Sequence, residues 1–316
     1  MTVVERTEAA EGVVRLRLAN ADGEDGTALP AWEPGAHLDL VLPSGLVRQY
    51  SLCGDPAETT TYTVATRLDA DGRGGSREVH EQLWEATDLE VRGPRNRFRM
   101  DEAPTYLFLA GGIGITPILP MLRAAEAAGT PWRLVYGGRS RASMPFLEEI
   151  GKLAGSDDRV TVVPQDEDGH PDLAAALREA PSEAAVYCCG PGPMLDAVSE
   201  LCAGELPGGG LHMERFTSEG AGSAVPDGEN RPFEVELRRS GTTVSVPADT
   251  TALAAIRTVR PQTESSCEEG WCGTCLTPVV EGTVDHRDEL LTDGEREESM
   301  LICVSRAAGE RLTLDL

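Results

Sequence analysis

Four of the chain's eight cysteines, Cys267, Cys272, Cys275 and Cys303, fall in the last quarter as C-x4-C-x2-C followed by one distant partner. Four thiolates can hold two irons, and this is the plant-type spacing of 2Fe-2S ligands. Zinc is the competing metal, but structural zinc sites usually come as paired C-x2-C units, and only Cys272 and Cys275 are so spaced. Gly270 and Gly273 let the loop fold tightly around a cluster and aim backbone N–H groups at its sulfurs, which raises its potential. Trp271 between them reads either as a lid or as an exposed contact for a partner. The other four cysteines, Cys53, Cys188, Cys189 and Cys202, are scattered. No secretory signal accompanies them, which argues against a disulfide scaffold.

At 316 residues the chain exceeds what one core usually organises, and its local grammar changes twice. Residues 1–100 hold short alternating stretches, VVRLRL, HLDLVL and TYTVAT, parted by Gly, Pro and Asp clusters, and read as an antiparallel β-barrel. Residues 101–215 alternate buried strands (YLFLA, WRLVYGG, RVTVVP, AAVYCCG) with helical segments, which predicts an α/β nucleotide-binding domain with a parallel sheet. Residues 216–231 are rich in Gly, Ser and Pro and read as a linker. Residues 232–316 combine the hairpin FEVELRRSGTTVSVP, the short helix ALAAIRTVR, the cysteine segment and a final strand RLTLDL, a small α+β domain.

The net charge of −25 opposes binding to nucleic acid or to an anionic membrane, because phosphate contacts need clustered Lys and Arg. It is accounted for by solubility or composition bias, or by an acidic docking face for a basic partner. No apolar run is long enough to cross a bilayer, and MTVVERTEAAEG lacks the charged-then-apolar order of a signal peptide. A cytoplasmic monomer is expected.

Two further segments bear on chemistry. RQYSL, at Arg48, Gln49, Tyr50, Ser51 and Leu52, resembles the R-x-Y-S motif of the ferredoxin reductase superfamily, in which the tyrosine can lie on an isoalloxazine ring, the serine can bond its reactive edge and the arginine can hold phosphate. In an unrelated protein the same letters would be a strand with a surface arginine. AGGIGITP places Gly111, Gly112 and Gly114 between a strand and a helix, where backbone can approach a pyrophosphate. It departs from G-x-G-x-x-G, with Pro117 in the third glycine's place.

The order barrel, nucleotide domain, linker and cysteine domain, together with SSCEEGWCGTC, GTVDHRDELLTD and MLICVSRA, resembles the phthalate dioxygenase reductase family, which includes vanillate demethylase reductases. The resemblance covers essentially the whole chain. It implies a β-grasp ferredoxin fold for the last domain and FMN as the flavin, with FAD the alternative carried by more distant relatives. The segment from Thr66 through Gly74, Gly75 and Ser76 resembles the family's phosphate loop. Phe216 in ERF would shield the ring or simply anchor the linker. Thr116, within GGIGITP, joins the nicotinamide set. CGPGPM resembles the segment bordering the nicotinamide, which implicates Cys189, Gly190 and Pro191. Arg139, Ser140 and Arg141 fall where the adenosine ribose is expected; two arginines suit NADPH, yet similar relatives use NADH, the donor expected here. His286 matches a family segment and is assigned no chemistry.

These parts make one circuit, from a two-electron donor through a flavin to a one-electron cluster. The implied function is the reductase component of a multicomponent oxygenase, feeding a terminal Rieske-type or haem-thiolate enzyme. A reductase for a nonoxygenase acceptor, and a redox-sensing iron-sulfur flavoprotein, are the alternatives.

Overall fold

A computed structural model describes residues 1–316 apart from 22–26, 71, 73, 156–157, 204–207, 217–229, 266, 269, 271–272 and 289. It divides into two compact units, Met1–Phe216 and Thr217–Leu316. Most of the expected linker, residues 217–229, lies outside the described residues. Among the described residues, no helix is long and apolar enough to cross a membrane.

The first unit opens with antiparallel strands β1 (Thr2–Ala10), β2 (Val13–Ala19), β3 (Ala36–Val41), β4 (Val47–Ser51), β5 (Thr61–Arg67) and β6 (Glu90–Asn96), with helix α1 (Gly75–Gln82) before the last. They form two three-stranded sheets, β1-β2-β5 and β4-β3-β6. Isolated bridges Leu52↔Val64 and Thr2↔Asp88 join the sheets. The alternation VVRLRL puts Leu16 and Leu18 inside with Leu38, Leu40, Leu52 and Val64, the apolar filling of the antiparallel barrel.

Next come β7 (Tyr106–Gly111), α2 (Ile115–Ala128), β8 (Trp132–Gly138), α3 (Leu147–Ala154), β9 (Val160–Pro164), α4 (Gln165–Asp168), α5 (Leu173–Glu179), β10 (Ala185–Cys189), α6 (Gly192–Cys202) and β11 (Leu211–Glu214). All five strands pair in parallel, in the order β11-β10-β7-β8-β9. Every residue of β7 is buried, as a central parallel strand requires. The chain runs β7, β8, β9 to one side and then returns to β10 on the other. The crevice at the C-terminal ends of β7 and β10 is therefore the topological switch point, where open α/β sheets bind ligands. Val13, Cys53, Ala65 and Phe98 of the barrel share one core with Ile115, Ile118 and Leu119 of α2, so the two halves of this unit are packed together.

The second unit contains β12 (Phe233–Leu237), β13 (Thr242–Val246), α7 (Ala252–Arg257), β14 (Leu276–Glu281), β15 (Val284–Asp285), α8 (Asp293–Glu298), β16 (Ser299–Leu301), β17 (Arg306–Ala307) and β18 (Arg311–Leu314). The mixed sheet β13-β12-β18-β14-β16 carries the core against α7, with Val235, Leu237, Leu253, Ile256, Ile302 and Leu312 buried. This is the α+β ferredoxin architecture. Thr251 caps α7 by accepting from Ala254 N at 3.1 Å, and Thr292 with Glu295 forms a capping box on α8.

Leu38 is 0% exposed and Leu46 36% exposed on neighbouring parts of one sheet. Leu38→Ala is expected to destabilise the first unit by about 2–5 kcal/mol, and Leu46→Ala by no more than about 0.5 kcal/mol. Urea unfolding followed by circular dichroism checks both, and equal costs would contradict the assignment of Leu38 to the barrel interior.

Candidate functional site

At the switch point two helix N-termini converge. Gly111 and Gly112 end β7 and lead through Gly114 into α2, while Gly190 and Pro191 lead from β10 into α6. The two loops are pressed together: a Cβ on Gly114 would sit 2.2 Å from the Cys189 carbonyl oxygen, and one on Gly111 would sit 2.6 Å from Pro191 Cδ. Two of the three glycines thus serve loop-to-loop packing. Gly112 has nothing within 4 Å of a Cβ position and leaves its backbone open to a ligand. Among the described residues no side chain caps α2 or α6, while backbone carbonyls take the Ile115 N–H (Gly112 O) and the Met194 N–H (Pro191 O). The Tyr136 hydroxyl, 3.1 Å from Gly112 O, braces the open turn. Thr116 is buried and donates to Ile113 O at 2.9 Å, so it shapes the loop from behind.

Arg139 and Ser140 follow β8 at the same edge of the sheet. Arg139 is exposed and has no ion pair among the described residues, whereas Arg141 pairs with Glu167 at 3.3 Å. Ser140 is taken up locally in a reciprocal cap with Ser143. Arg141 is thus held in an exposed surface pair, while Arg139 faces solvent.

The RQYS strand is β4. Because side chains alternate along a strand, Arg48 and Tyr50 share one face, and Gln49 and Ser51 the other, opposite Asp39 and His37 of β3. Gln49 and Ser51 thus lie on the face of β4 away from Arg48 and Tyr50. On the first face Arg48 lies across the start of α1, where a Cβ on Gly75 would meet Arg48 Cγ and Nε at 2.7 Å. Gly74 precedes α1 in a left-handed conformation, φ 85°, and no side chain caps that helix among the described residues. Ser76 is engaged by the loop, its Oγ accepting from Asp69 N at 3.0 Å. Burial pushes the Tyr50 phenol up to about 12. The buried Thr66 hydroxyl lies beside the Tyr50 phenol and draws it back down against burial.

On the second face Ser51 hydrogen-bonds Glu214 at the end of β11, and Glu214 pairs in register with Cys189. Glu214 was not singled out by sequence reasoning, although it stands inside ERF. Its Oε2 is shielded from solvent and has no hydrogen-bond partner. Burial pushes its carboxyl up to about 8, against the downward pull of Ser51. The Cys189 thiol is fully buried and held well above its ordinary range, first by burial and then by Glu214. It is not a nucleophile. Phe216, two residues beyond Glu214, is 40% exposed, an uncovered ring at the edge of this site.

In the second unit Cys303 hydrogen-bonds Cys275 and lies within electrostatic reach of Cys267, and the Gly270 N–H donates to the Cys303 sulfur. Cys272 and Trp271 lie outside the described residues. No three His, Cys, Asp or Glu side chains among the described residues surround one metal ion. The loop is arranged by Arg257 of α7, which donates to Thr263 O at 3.1 Å, Ser265 Oγ at 2.6 Å and Glu268 Oε1 at 2.7 Å. A Cβ on Gly270 would meet Val304 Cγ2 at 2.9 Å. His286 accepts its place from the fold: its Nε2 bonds Arg296 O at 3.0 Å, and the ring lies 3.5 Å from buried Asp288.

Residues 108–200 match the oxidoreductase NAD-binding domain family, and residues 235–308 match the 2Fe-2S iron-sulfur cluster binding domain family. The chain is 39% identical over 322 residues to the phthalate 4,5-dioxygenase oxygenase reductase subunit of Pseudomonas putida, covering 100% of this chain and 96% of the relative. It belongs to the phthalate dioxygenase reductase family. The crystal structure of a phthalate dioxygenase reductase superposes with a TM-score of 0.72 at 35% identity, covering 100% of this chain and 97% of that one. An intact type IV self-sufficient cytochrome P450 monooxygenase matches with a TM-score of 0.88 at 42% identity; this chain spans 40% of that longer one. The reductase is thus an oxidoreductase whose family cofactors are FMN, NAD and a 2Fe-2S cluster, and the open Gly112 turn and the gathered thiols fit the last two.

The buried Glu214 carboxyl has a consequence for stability. In the unfolded chain it ionises near 4.5, so between about 4.5 and 8 the folded reductase keeps a proton that the unfolded chain has lost. This group's contribution therefore falls as pH rises through that window. Glu214→Gln is expected to raise the thermal midpoint relative to wild type more at about pH 8 than at about pH 5. A difference independent of pH would count against a protonated Glu214.

Proposed function

We propose that the reductase delivers electrons from NADH through FMN and its own 2Fe-2S cluster to a terminal oxygenase of the Rieske or haem-thiolate type. The observation that carries this reading is Glu214, which touches the flavin strand through Ser51 and the nicotinamide strand through Cys189, so that two cofactor elements meet at one residue. The names of its relatives support it: a dioxygenase reductase subunit on one side, a self-sufficient P450 on the other. With all groups bound, the nicotinamide supplies electrons as a pair, the flavin accepts the pair and releases it singly, and the cluster carries one electron at a time.

The chain's own residues bind, orient and exclude water. Arg48, with the N-terminus of α1 at Gly74 and Gly75, holds the flavin phosphate; Tyr50 and Thr66 hold the ring, and Phe216 covers it. Gly112 and the N-termini of α2 and α6 hold the pyrophosphate, with Gly190 and Pro191 beside the nicotinamide and Arg139 and Ser140 by the adenosine ribose. Cys267, Cys272, Cys275 and Cys303 ligate the cluster. In domain terms, residues 1–100 bind flavin, 101–215 bind NAD and 232–316 form the ferredoxin, joined by the linker 216–231. The same reading makes the protein a cytoplasmic monomer. NADH is the donor in this reading, with NADPH the alternative.

Anaerobic titration with NADH, and with NADPH in parallel, is expected to bleach the flavin and produce the rhombic electron paramagnetic resonance signal of a reduced cluster. If neither donor reduced fully loaded protein, the reductase reading would fail. Cys303→Ser is expected to abolish the cluster signal while NADH still bleaches the flavin, which separates the two units by their spectra.

A further inference from the structure

We propose that Arg123 is a positioning residue that sets how closely the nicotinamide approaches the flavin. It lies on α2, the helix whose first turn follows the Gly111–Gly114 loop, about 12 Å along the axis from Ile115 at 1.5 Å per residue. One guanidinium nitrogen, Nη1, donates to two successive carbonyls across the seam, Cys53 O at 2.9 Å and Gly54 O at 2.6 Å. These carbonyls follow Leu52 directly, so they belong to the same run of chain as Tyr50 and Ser51. The other nitrogen, Nη2, donates to Glu149 Oε2 of α3 at 2.7 Å. Glu149 in turn accepts from Arg15 of β2 at 3.2 Å, and Arg15 lies 3.6 Å from Glu5 of β1. A line of alternating charge thus runs from the barrel's first two strands to the helix that presents the nicotinamide loop.

The apolar core along this seam, which includes Cys53, Ala65, Ile115 and Ile118, holds the two halves together. Charge-assisted hydrogen bonds to two carbonyls and a carboxylate define direction as well as distance. The Arg123 side chain is 21% exposed and that of Glu149 35%, along a cleft of ≈ 240 Å³, so solvent screening limits the network's worth as stability. Its geometry remains. Two reactants must meet within a fraction of an ångström, and a misplacement of about 1 Å costs on the order of 100-fold in rate. Arg123 ties the element that carries one reactant to the element that carries the other.

The inference rests on the flavin and nicotinamide sites proposed above, and the wild-type control separates the two: if NADH does not bleach the wild-type flavin, that reading fails first. With bleaching established, stopped-flow reduction of the FMN- and cluster-loaded holoenzyme is compared in wild type, Arg123→Gln and Arg123→Lys. Arg123→Gln is expected to lower the limiting rate of flavin reduction by about 10–100-fold while the Kd for NADH changes by less than about threefold, with partial recovery in Arg123→Lys. The long-wavelength charge-transfer absorbance of the nicotinamide–flavin complex should weaken in parallel. A lowered melting temperature with unchanged limiting rate and unchanged charge-transfer band would make Arg123 a structural brace and overturn the proposal. Should Arg123→Gln not fold, Glu149→Gln removes the guanidinium's charged anchor and leaves its reach to the carbonyls. A limiting rate reduced by about threefold or more supports the proposal in that variant, and an unchanged rate overturns it.

Discussion

The contact between Gly114 and the Cys189 carbonyl governs what the first unit can do. It is possible only because one side of it has no side chain, and it draws the loops after β7 and β10 together at the point where the parallel sheet changes direction. That closeness brings the N-termini of α2 and α6 to one crevice, with the Gly112 turn left open beside them. A bulkier residue at Gly114 would part the loops and, with them, the two halves of the site.

Much of this architecture could be read from spacing and periodicity. Alternation in VVRLRL and TYTVAT marks half-buried antiparallel strands, the unbroken apolar run YLFLA marks a strand buried on both faces, and the spacing of Cys267, Cys272 and Cys275 marks a cluster loop, because each is a short-range pattern imposed by local geometry. What escaped was long-range. Glu214 gains its character from lying in register with Cys189, a pairing that no local pattern announces. Arg257 arranges the cluster loop through Thr263, Ser265 and Glu268, residues in irregular backbone where side-chain roles have no period. That Gly111 and Gly114 answer Pro191 and Cys189, as well as making room for a ligand, likewise emerges only from tertiary packing.

The period of two along RQYS sets Arg48 and Tyr50 on one face of β4 and Gln49 and Ser51 on the other. The motif is best understood as a partition between two neighbours, with Gln49 on the side that turns towards Asp39.

The scattered cysteines have a meaning beyond packing. Cys53, Cys188, Cys189 and Cys202 are all buried, and burial raises each thiol above its ordinary range. Oxidation of a thiol proceeds through its exposed thiolate, so these four are chemically quiet. A protein that moves electrons in air is exposed to peroxide formed nearby. Among the described cysteines the one left partly open is Cys267, in the loop expected to hold iron, so thiol oxidation outside that loop is disfavoured by burial.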